Sequence, residues 1–234
     1  MSLASLLFLL QLADSAFPSG RYTLSHGLEP FVQSDALSSP RARSLMTLLS
    51  DALRFGVAPS DGVALACAHR AVGPDGRVAL DAVVRADERL RAVKLAREGR
   101  EASMRTGRAL LRTAVDAFGT VPLLEYAALV DKGRTPGNHA VVLGVVCAAV
   151  DVPRLEAVAG ELYAFSSGWI AAAVRLGVID HRSAQRILGR VHPVIAHAAR
   201  AAVERSVADI RSCTPVLDAM SMRHEEAGVR LFAT

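Results

Sequence analysis

The spacing of apolar residues constrains the fold of this chain more than any other feature. One stretch has apolar residues at i, i+3, i+4, i+7 and i+8, the pattern of a helix with one buried face: Leu45, Leu48, Leu49, Ala52 and Leu53. Proline and glycine mark helix ends, because proline lacks a backbone N–H and glycine is flexible. The pattern therefore predicts a helix that begins near Ser39–Pro40 and ends at Gly56, with Pro59 beyond it.

The same helical period recurs along the rest of the chain. It predicts further helices over 81–93, 104–118, 123–130, 138–150, 154–176 and 183–210. No alternating run bounded by hairpin turns predicts a strand. Half of the residues are apolar (51%) and few are aromatic (5%), which suits close packing of small residues between helices. We expect an all-α, single-domain helical bundle over residues 1–234, with roughly eight to ten helices and exposed N- and C-terminal segments.

Composition also limits where the protein works. No apolar run approaches the ~20 residues of a membrane span, and the apolar start at 1–13 lacks the basic residues of a signal peptide. Cys67, Cys147 and Cys213 are far apart and form no Cys-x-x-Cys pair, as expected of buried thiols in a reducing compartment. The chain is expected in the cytoplasm, with no membrane contact.

The positive charge has two interpretations. The formal net charge is +4, carried almost wholly by arginine, since Lys94 and Lys132 are the only lysines. One alternative is a basic helical regulator that binds nucleic acid, although aromatic residues are sparse and no zinc-finger or RNA-recognition motif occurs. The other is an acidic protein partner. Arg105, Arg108 and Arg112 share one helix face, which is either solvated or a docking site.

Motifs for catalysis and for stable metal binding are missing. Lys94 is followed by Leu95 and Lys132 by Gly133, so neither completes the Gly-Lys-Ser/Thr of a nucleotide-binding loop. Phe165 takes the place of the first glycine of a Gly-x-Ser-x-Gly elbow. We therefore predict that the chain is not an enzyme and has no catalytic residue. An undetected metalloenzyme is a third alternative.

The histidines do not form a metal-binding motif. His224-Glu225 resembles the start of a zinc-protease motif, but Gly228 stands where the second histidine belongs. His192 and His197 are five residues apart, which turns them away from one helix face. No metal site is predicted.

The C-terminal segment is unusually apolar for a chain end. Residues 214–232 include five large apolar side chains that need something to bury against: Leu217, Met220, Met222, Leu231 and Phe232. A segment that cannot bury its own apolar residues often becomes ordered on a partner. We therefore predict that 214–234 is a partner-docking segment.

Two motifs near the chain ends resemble those of a known family. The first is Pro18-Ser19-Gly20-Arg21-Tyr22 followed by Ser25-His26-Gly27-Leu28-Glu29; the second is Ser221-Met222-Arg223-His224-Glu225 followed by Arg230-Leu231-Phe232. Together they resemble the signature pair of the urease accessory protein UreF, and the segments 97–112 and 139–144 resemble its central helices. The resemblance covers nearly the whole chain in order. After Arg175, however, many members read Pro-Leu-Gly-Gln, whereas this chain has Leu176-Gly177-Val178-Ile179-Asp180-His181.

The resemblance implies a non-enzymatic urease maturation factor. Such a protein would bind the UreD/UreH accessory protein through its C-terminal segment and recruit the UreG GTPase on another face. The assembly would regulate GTP hydrolysis and direct nickel into the urease apoprotein. The resemblance also implies a homodimer with no cofactor of its own, because nickel passes through the complex transiently and the partner binds GTP.

The resemblance also implies site residues. Tyr22, Glu29 and Arg175 would face the GTPase, and a second set would bind UreD/UreH: Arg223, His224, Glu225, Arg230, Leu231 and Phe232. Simpler interpretations remain open for the first set. The turn that holds Tyr22 and Glu29 could be only a packing corner, and Arg175 could simply offset a helix dipole at a C-terminus.

Overall fold

The described part of the chain is helical almost throughout. A computed structural model describes residues 1–14, 16–35, 37, 39, 41–225 and 231–233. Within these ranges there is no strand, only an isolated antiparallel bridge between Val72 and Val78. The α-helices are α1 (Leu3–Ala13), α2 (Leu28–Gln33), α3 (Arg41–Asp51), α4 (Val63–Arg70), α5 (Leu80–Val93), α6 (Arg97–Phe118), α7 (Val121–Asp131), α8 (His139–Ala149), α9 (Arg154–Arg175), α10 (His181–Val203) and α11 (Pro215–His224). The predicted all-α, single-domain fold is confirmed.

The predicted end of a helix at Gly56 is wrong. A π-helical segment, Ala52–Gly62, joins α3 to α4, so one continuous helical rod passes through Pro59. Proline has no N–H to donate, which leaves carbonyl groups in the preceding turn without helical partners. The carbonyl of Phe55 accepts a hydrogen bond from Cys213 N–H at 2.9 Å, and the carbonyl of Pro59 accepts one from Arg211 N–H at 3.1 Å. A distant, extended part of the chain thus satisfies the carbonyl groups around the proline.

The core lies where α4, α6, α8 and α9 meet. Helix α8 is apolar on all sides and packs against α4 and α6, as expected of a helix at the centre of a bundle. The helices touch closely at two glycines: a Cβ on Gly107 would overlap the carbonyl oxygen of Gly137, and one on Gly144 would overlap that of Leu65. These positions need glycine because backbone lies where the side chain would be.

Helix α9 is, by length and composition alone, apolar enough to cross a membrane. Its large side chains are used inside the bundle instead, since Leu162, Trp169 and Ile170 are at most 1% exposed. The helix packs against α4, α8 and α10. Its apolar character is therefore explained by its place in the core.

Helix α10 is shorter than predicted. It ends at Val203 instead of continuing to Ile210, and a 3-10 turn, Val207–Asp209, follows. Ser206 and Asp209 cap that turn reciprocally. These side-chain bonds give the backbone an alternative to continuing the helix.

A buried carboxylate fixes the loop that precedes α8. The side chain of Asp87 on α5 is fully buried and accepts hydrogen bonds of 2.7–2.9 Å from five donors on α7 and on the loop before α8: Tyr126 Oη, Thr135 Oγ1, Gly137 N, Asn138 N and Asn138 Nδ2. Burial and this carboxylate raise the pKa of Tyr126 well above its usual value, which keeps the phenol a donor. Asp87 therefore holds α5, α7 and the start of α8 together.

Replacing Asp87 with alanine should destabilise the whole bundle. Asp87→Ala leaves five buried donors without an acceptor, and we expect a loss of about 3–5 kcal/mol in the free energy of unfolding. Urea denaturation followed by circular dichroism measures this loss. The matched control is Glu88→Ala on the same helix, where the side chain is exposed, and its midpoint should stay close to wild type. Equal midpoints for the two variants would contradict the role given to Asp87.

The two ends of the chain differ in how far they are buried. Helix α1 leaves Leu3, Leu7 and Leu10 more than half exposed. Helix α11, in contrast, packs against α2 and α6, and beyond it the Phe232 side chain is only 6% exposed. The expectation that the C-terminal segment has nothing in its own chain to bury against is therefore wrong for Phe232. Leu231 fits that expectation, since it is 73% exposed.

Candidate functional site

The N-terminal motif forms a turn on which α11 rests. Gly20 and Gly27 have positive φ angles of 78° and 80°, and a short 3-10 helix, Arg21–Thr23, lies between them. At Gly27 a Cβ atom would come within 2.5 Å of Ser221 Oγ on α11. Gly27 is thus required twice, by its backbone angle and by the close approach of α11. The two motifs at opposite ends of the sequence meet here.

A buried histidine between two carboxylates joins α11 to the body of the protein. His224 Nε2 lies 3.1 Å from Glu29 Oε2, and His224 Nδ1 lies 2.8 Å from Glu98 Oε2. All three side chains are 13% exposed or less. Ionised carboxylates only accept hydrogen bonds, so the arrangement is fully satisfied when the imidazole donates from both nitrogens. We call Glu29, Glu98 and His224 the tail clamp.

Glu29 also holds the last described residues of the chain. Its Oε1 accepts a hydrogen bond from Leu231 N–H at 2.9 Å, and its Oε2 accepts one from Phe232 N–H at 3.2 Å. Gln33 donates a further bond to Oε1 from one helical turn away. The side chain of Glu29 is completely buried, so it organises the tail and offers no surface to another protein in this arrangement.

The tail caps the N-terminus of α6. Glu225 accepts hydrogen bonds from the backbone N–H groups of Arg97 and Glu98, at 2.9 and 3.3 Å, and pairs with the Arg97 side chain at 3.4 Å. Ala96, the residue before α6, has no side chain that could do this. A carboxylate at a helix N-terminus satisfies free N–H groups and offsets the helix dipole.

An arginine lies between two aromatic rings from opposite ends of the chain. The Arg175 guanidinium carbon is 4.3 Å from the centre of the Tyr22 ring and 4.4 Å from the centre of the Phe232 ring. Both distances are within the range of cation–π attraction. Tyr22 is 59% exposed, whereas Phe232 is buried. We call Tyr22, Arg175 and Phe232 the aromatic stack.

The residues predicted for two different partners therefore lie together. The aromatic stack joins Tyr22 and Arg175, predicted for the GTPase, to Phe232, predicted for UreD/UreH. The tail clamp joins Glu29 to His224 in the same way. The expectation that the two partners bind on separate faces of the protein is therefore wrong for the residues of these two contacts. Which partner each residue binds stays a prediction. Arg223 is exposed, and Arg230 lies outside the described residues.

The structure also shows a buried polar cluster that sequence reasoning missed. The Arg21 guanidinium binds both carboxylate oxygens of Glu161, at 2.6 and 3.0 Å, and donates to His139 Nε2 at 3.0 Å. Burial lowers the pKa of His139 well below its usual value, so its ring is neutral and can accept this bond. Burial also raises the pKa of Glu161, although Arg21 opposes that effect.

These groups line a cavity of about 180 Å³ beneath α11. A second ion pair, Lys94 with Asp61 at 2.8 Å, lies on the same cavity. Burial opposes ionisation of Asp61, but Lys94 brings its pKa below the usual value. His26 lies between these charges, and burial together with Arg21 lowers its pKa to about 3. The cavity thus holds two ion pairs, Arg21 with Glu161 and Lys94 with Asp61, within a lining that is otherwise largely apolar.

The described residues include no group of three histidine, cysteine, aspartate or glutamate side chains placed to hold a metal ion. Cys67 and Cys147 are buried, and Cys213 is exposed. Burial raises the pKa of both buried thiols. Cys213 does not match the prediction of three buried thiols.

Comparison of the sequence with known proteins gives matches to one family. The sequence model of the UreF family matches residues 41–192. The urease accessory protein UreF 2 of Brucella canis is 31% identical over 231 residues, 99% of this chain and 93% of that protein. UreF of Trichodesmium erythraeum is 34% identical over 227 residues, and UreF of Bacillus sp. TB-90 is 30% identical over 227, covering 96% and 98% of those proteins.

A helical bundle with these matches over nearly its whole length belongs to the class of urease accessory proteins. The chain is a member of the UreF family. The match to the family model begins after the N-terminal motif and ends before the C-terminal motif, so it includes only Glu98 of the tail clamp. The matches to full-length relatives cover nearly the whole chain and therefore include Glu29 and His224 as well.

Proposed function

We propose that the protein is a non-enzymatic adaptor in urease maturation. It would link UreD/UreH to the UreG GTPase and regulate GTP-dependent nickel insertion into the urease apoprotein. In this proposal UreG binds the nucleotide, nickel is cargo, and the adaptor works in the cytoplasm as a homodimer without a cofactor of its own. Family membership supports the role in urease maturation.

One observation carries the adaptor proposal: the N- and C-terminal segments form a single surface at the aromatic stack. Tyr22, next to the cation of Arg175, is more than half exposed, and so is Leu231, which precedes Phe232 in the chain. Exposed aromatic side chains and arginine are prominent among the residues that contribute most to protein interfaces. The surface therefore has the chemistry of a docking site.

The shared surface also suggests how one partner could influence another. An adaptor changes a partner's activity by binding one conformation of it better than another. Because the tail clamp fixes Phe232 and the aromatic stack joins Phe232 to Tyr22, a protein that binds the tail also contacts, or repositions, the surface around Tyr22. Binding of UreD/UreH and of UreG would then be coupled through the tail.

The proposal is tested by co-purification with UreD/UreH and UreG. Tyr22→Ala removes an exposed ring, so we expect the melting temperature to stay nearly unchanged and partner binding to weaken by about 2 kcal/mol, roughly thirtyfold. The matched control is Tyr163→Ala, another partly exposed tyrosine, which lies against His192 on α10. Equal partner recovery for both variants would contradict the docking role of the aromatic stack.

A further inference from the structure

Two pockets lie along the line where α10 packs against the rod formed by α3 and the π-helical segment. One is lined by Arg43 from α3 and by Arg186 and Arg190 from α10. The other is lined by Arg54 from the π segment and by His197 and Arg205. We call these six residues and the surface between them the basic groove. At 1.5 Å per helical residue, the groove from Ser183 to Arg205 is about 30 Å long.

The arginines of the groove form no ion pair in the described part of the chain, although Asp180 and Asp209 lie near enough to interact electrostatically with Arg186 and Arg205. None of its five arginines lies within ion-pair distance of a described carboxylate. Helix α10 itself has four arginines and no acidic residue between His181 and Val203. The formal net charge of the whole chain is +4, so five unpaired arginines in one groove concentrate its positive potential there.

The floor of the groove is aliphatic. Met46, which is partly exposed, and the buried Ile187 line one end, and the buried Ala58 and Ala198 line the other. Among the described lining residues, none is phenylalanine, tyrosine or tryptophan, and His197 is the one ring on which a base could stack. An aliphatic floor between cationic edges matches a helix with one apolar face and acidic flanks, whereas a phosphate backbone would leave the floor uncovered.

A second copy of the same groove is a poor occupant. A two-fold contact would place each groove against its own image and bring its arginines together. Like charges at a contact oppose association. The charge therefore favours a different, acidic partner.

We propose that the basic groove docks an acidic amphipathic helix of a partner protein. The proposal rests on the adaptor function, because the partner belongs to the same maturation assembly. Complementary charge would guide the acidic flanks to the arginines, and the apolar face would cover the partly exposed Met46. This docking site differs from the aromatic stack in residues and in charge.

The test compares two triple variants with the same change of charge. The groove variant carries Arg43→Glu, Arg186→Glu and Arg190→Glu. The control carries Arg105→Glu, Arg108→Glu and Arg112→Glu on α6, whose side chains are all exposed. Each is co-expressed with the urease accessory proteins and the urease subunits and then purified. We expect the groove variant alone to lose at least about tenfold in recovery of one acidic partner. Higher salt should lower that recovery for the wild-type chain.

The possible outcomes separate this proposal from the adaptor function. If the wild-type chain recovers no urease protein, the adaptor function fails. If it recovers them and both triple variants do so equally, only the groove proposal is overturned. Suppose that the wild-type chain binds a fluorescent DNA duplex and the groove variant does not, while partner recovery is unchanged. This result would overturn the groove proposal in favour of nucleic-acid binding. If light scattering shows that the groove variant is no longer a dimer while it still recovers its partners, the groove proposal is overturned in favour of self-association. Should the groove variant fail to fold by circular dichroism, glutamine at the same three positions provides the milder test.

Discussion

A chain that ends at Thr214 is expected to keep its folded core and to lose its accessory-protein partners. The truncation removes α11 and the last residues, but it retains the bonds of Arg211 and Cys213 to the π-helical segment. The buried centre of the bundle comes from α4, α8 and α9, which are untouched. Removing α11 also exposes Glu29 to water. Its carboxylate is then hydrated, which avoids the cost of a buried charge without a partner.

The expected loss of binding is large because the truncation removes Leu231 and Phe232 from the surface at the aromatic stack. Recovery of UreD/UreH should fall at least about a hundredfold, equivalent to about 2.8 kcal/mol. Circular dichroism measures the fold, and co-purification measures binding. Full recovery of UreD/UreH by the truncated chain would refute the docking role of the tail. A truncated chain that does not fold would show that α11 is part of the core.

Glu29→Ala is expected to release the tail while the helical core stays formed. The substitution removes the acceptor for His224 and for the backbone N–H groups of Leu231 and Phe232. Leaving a buried hydrogen-bond donor without its acceptor costs about 1–3 kcal/mol, and here that cost falls on the contacts that hold the tail. Hydrogen exchange should therefore show lost protection in α11 and at 231–233, with α8 and α9 still protected.

The matched control for Glu29 is Glu101→Ala, an exposed glutamate on α6 that should leave exchange unchanged. If the tail stays protected in Glu29→Ala, the tail clamp does not hold it. If α8 loses protection together with α11, Glu29 stabilises the whole bundle instead. Because Glu29 is buried, weaker partner binding by this variant is expected to act through the released tail.

The helices could be predicted from sequence because their signal is local. The apolar stripe of α5 and the uniformly apolar α8 identify these elements without knowledge of their neighbours. The end predicted at Gly56 failed for a non-local reason: Cys213, far along the chain, satisfies the carbonyl of Phe55 near Pro59. A proline predicts a helix end only when nothing else supplies the missing hydrogen bonds.

The candidate site could be predicted only in part. The terminal motifs indicated Tyr22, Glu29 and His224, but not that they meet. His224 is 195 residues from Glu29 and 126 from Glu98, and no periodic pattern spans such separations. Glu161 was missed because a charged residue in a helix is usually solvated, whereas here it lies on the inward face of α9 with Arg21 beside it. A charge between Val158 and Leu162 on an apolar stripe was the available signal.

The most direct test of the adaptor role is the nickel content of urease assembled with and without this protein. Urease subunits and the other accessory proteins are produced together in cells without their own urease, with the wild-type chain, the chain ending at Thr214, or neither. We expect nickel-loaded, active urease only with the wild-type chain, and nickel-poor urease in the other two cases. Urease that is equally rich in nickel in all three would contradict the adaptor role.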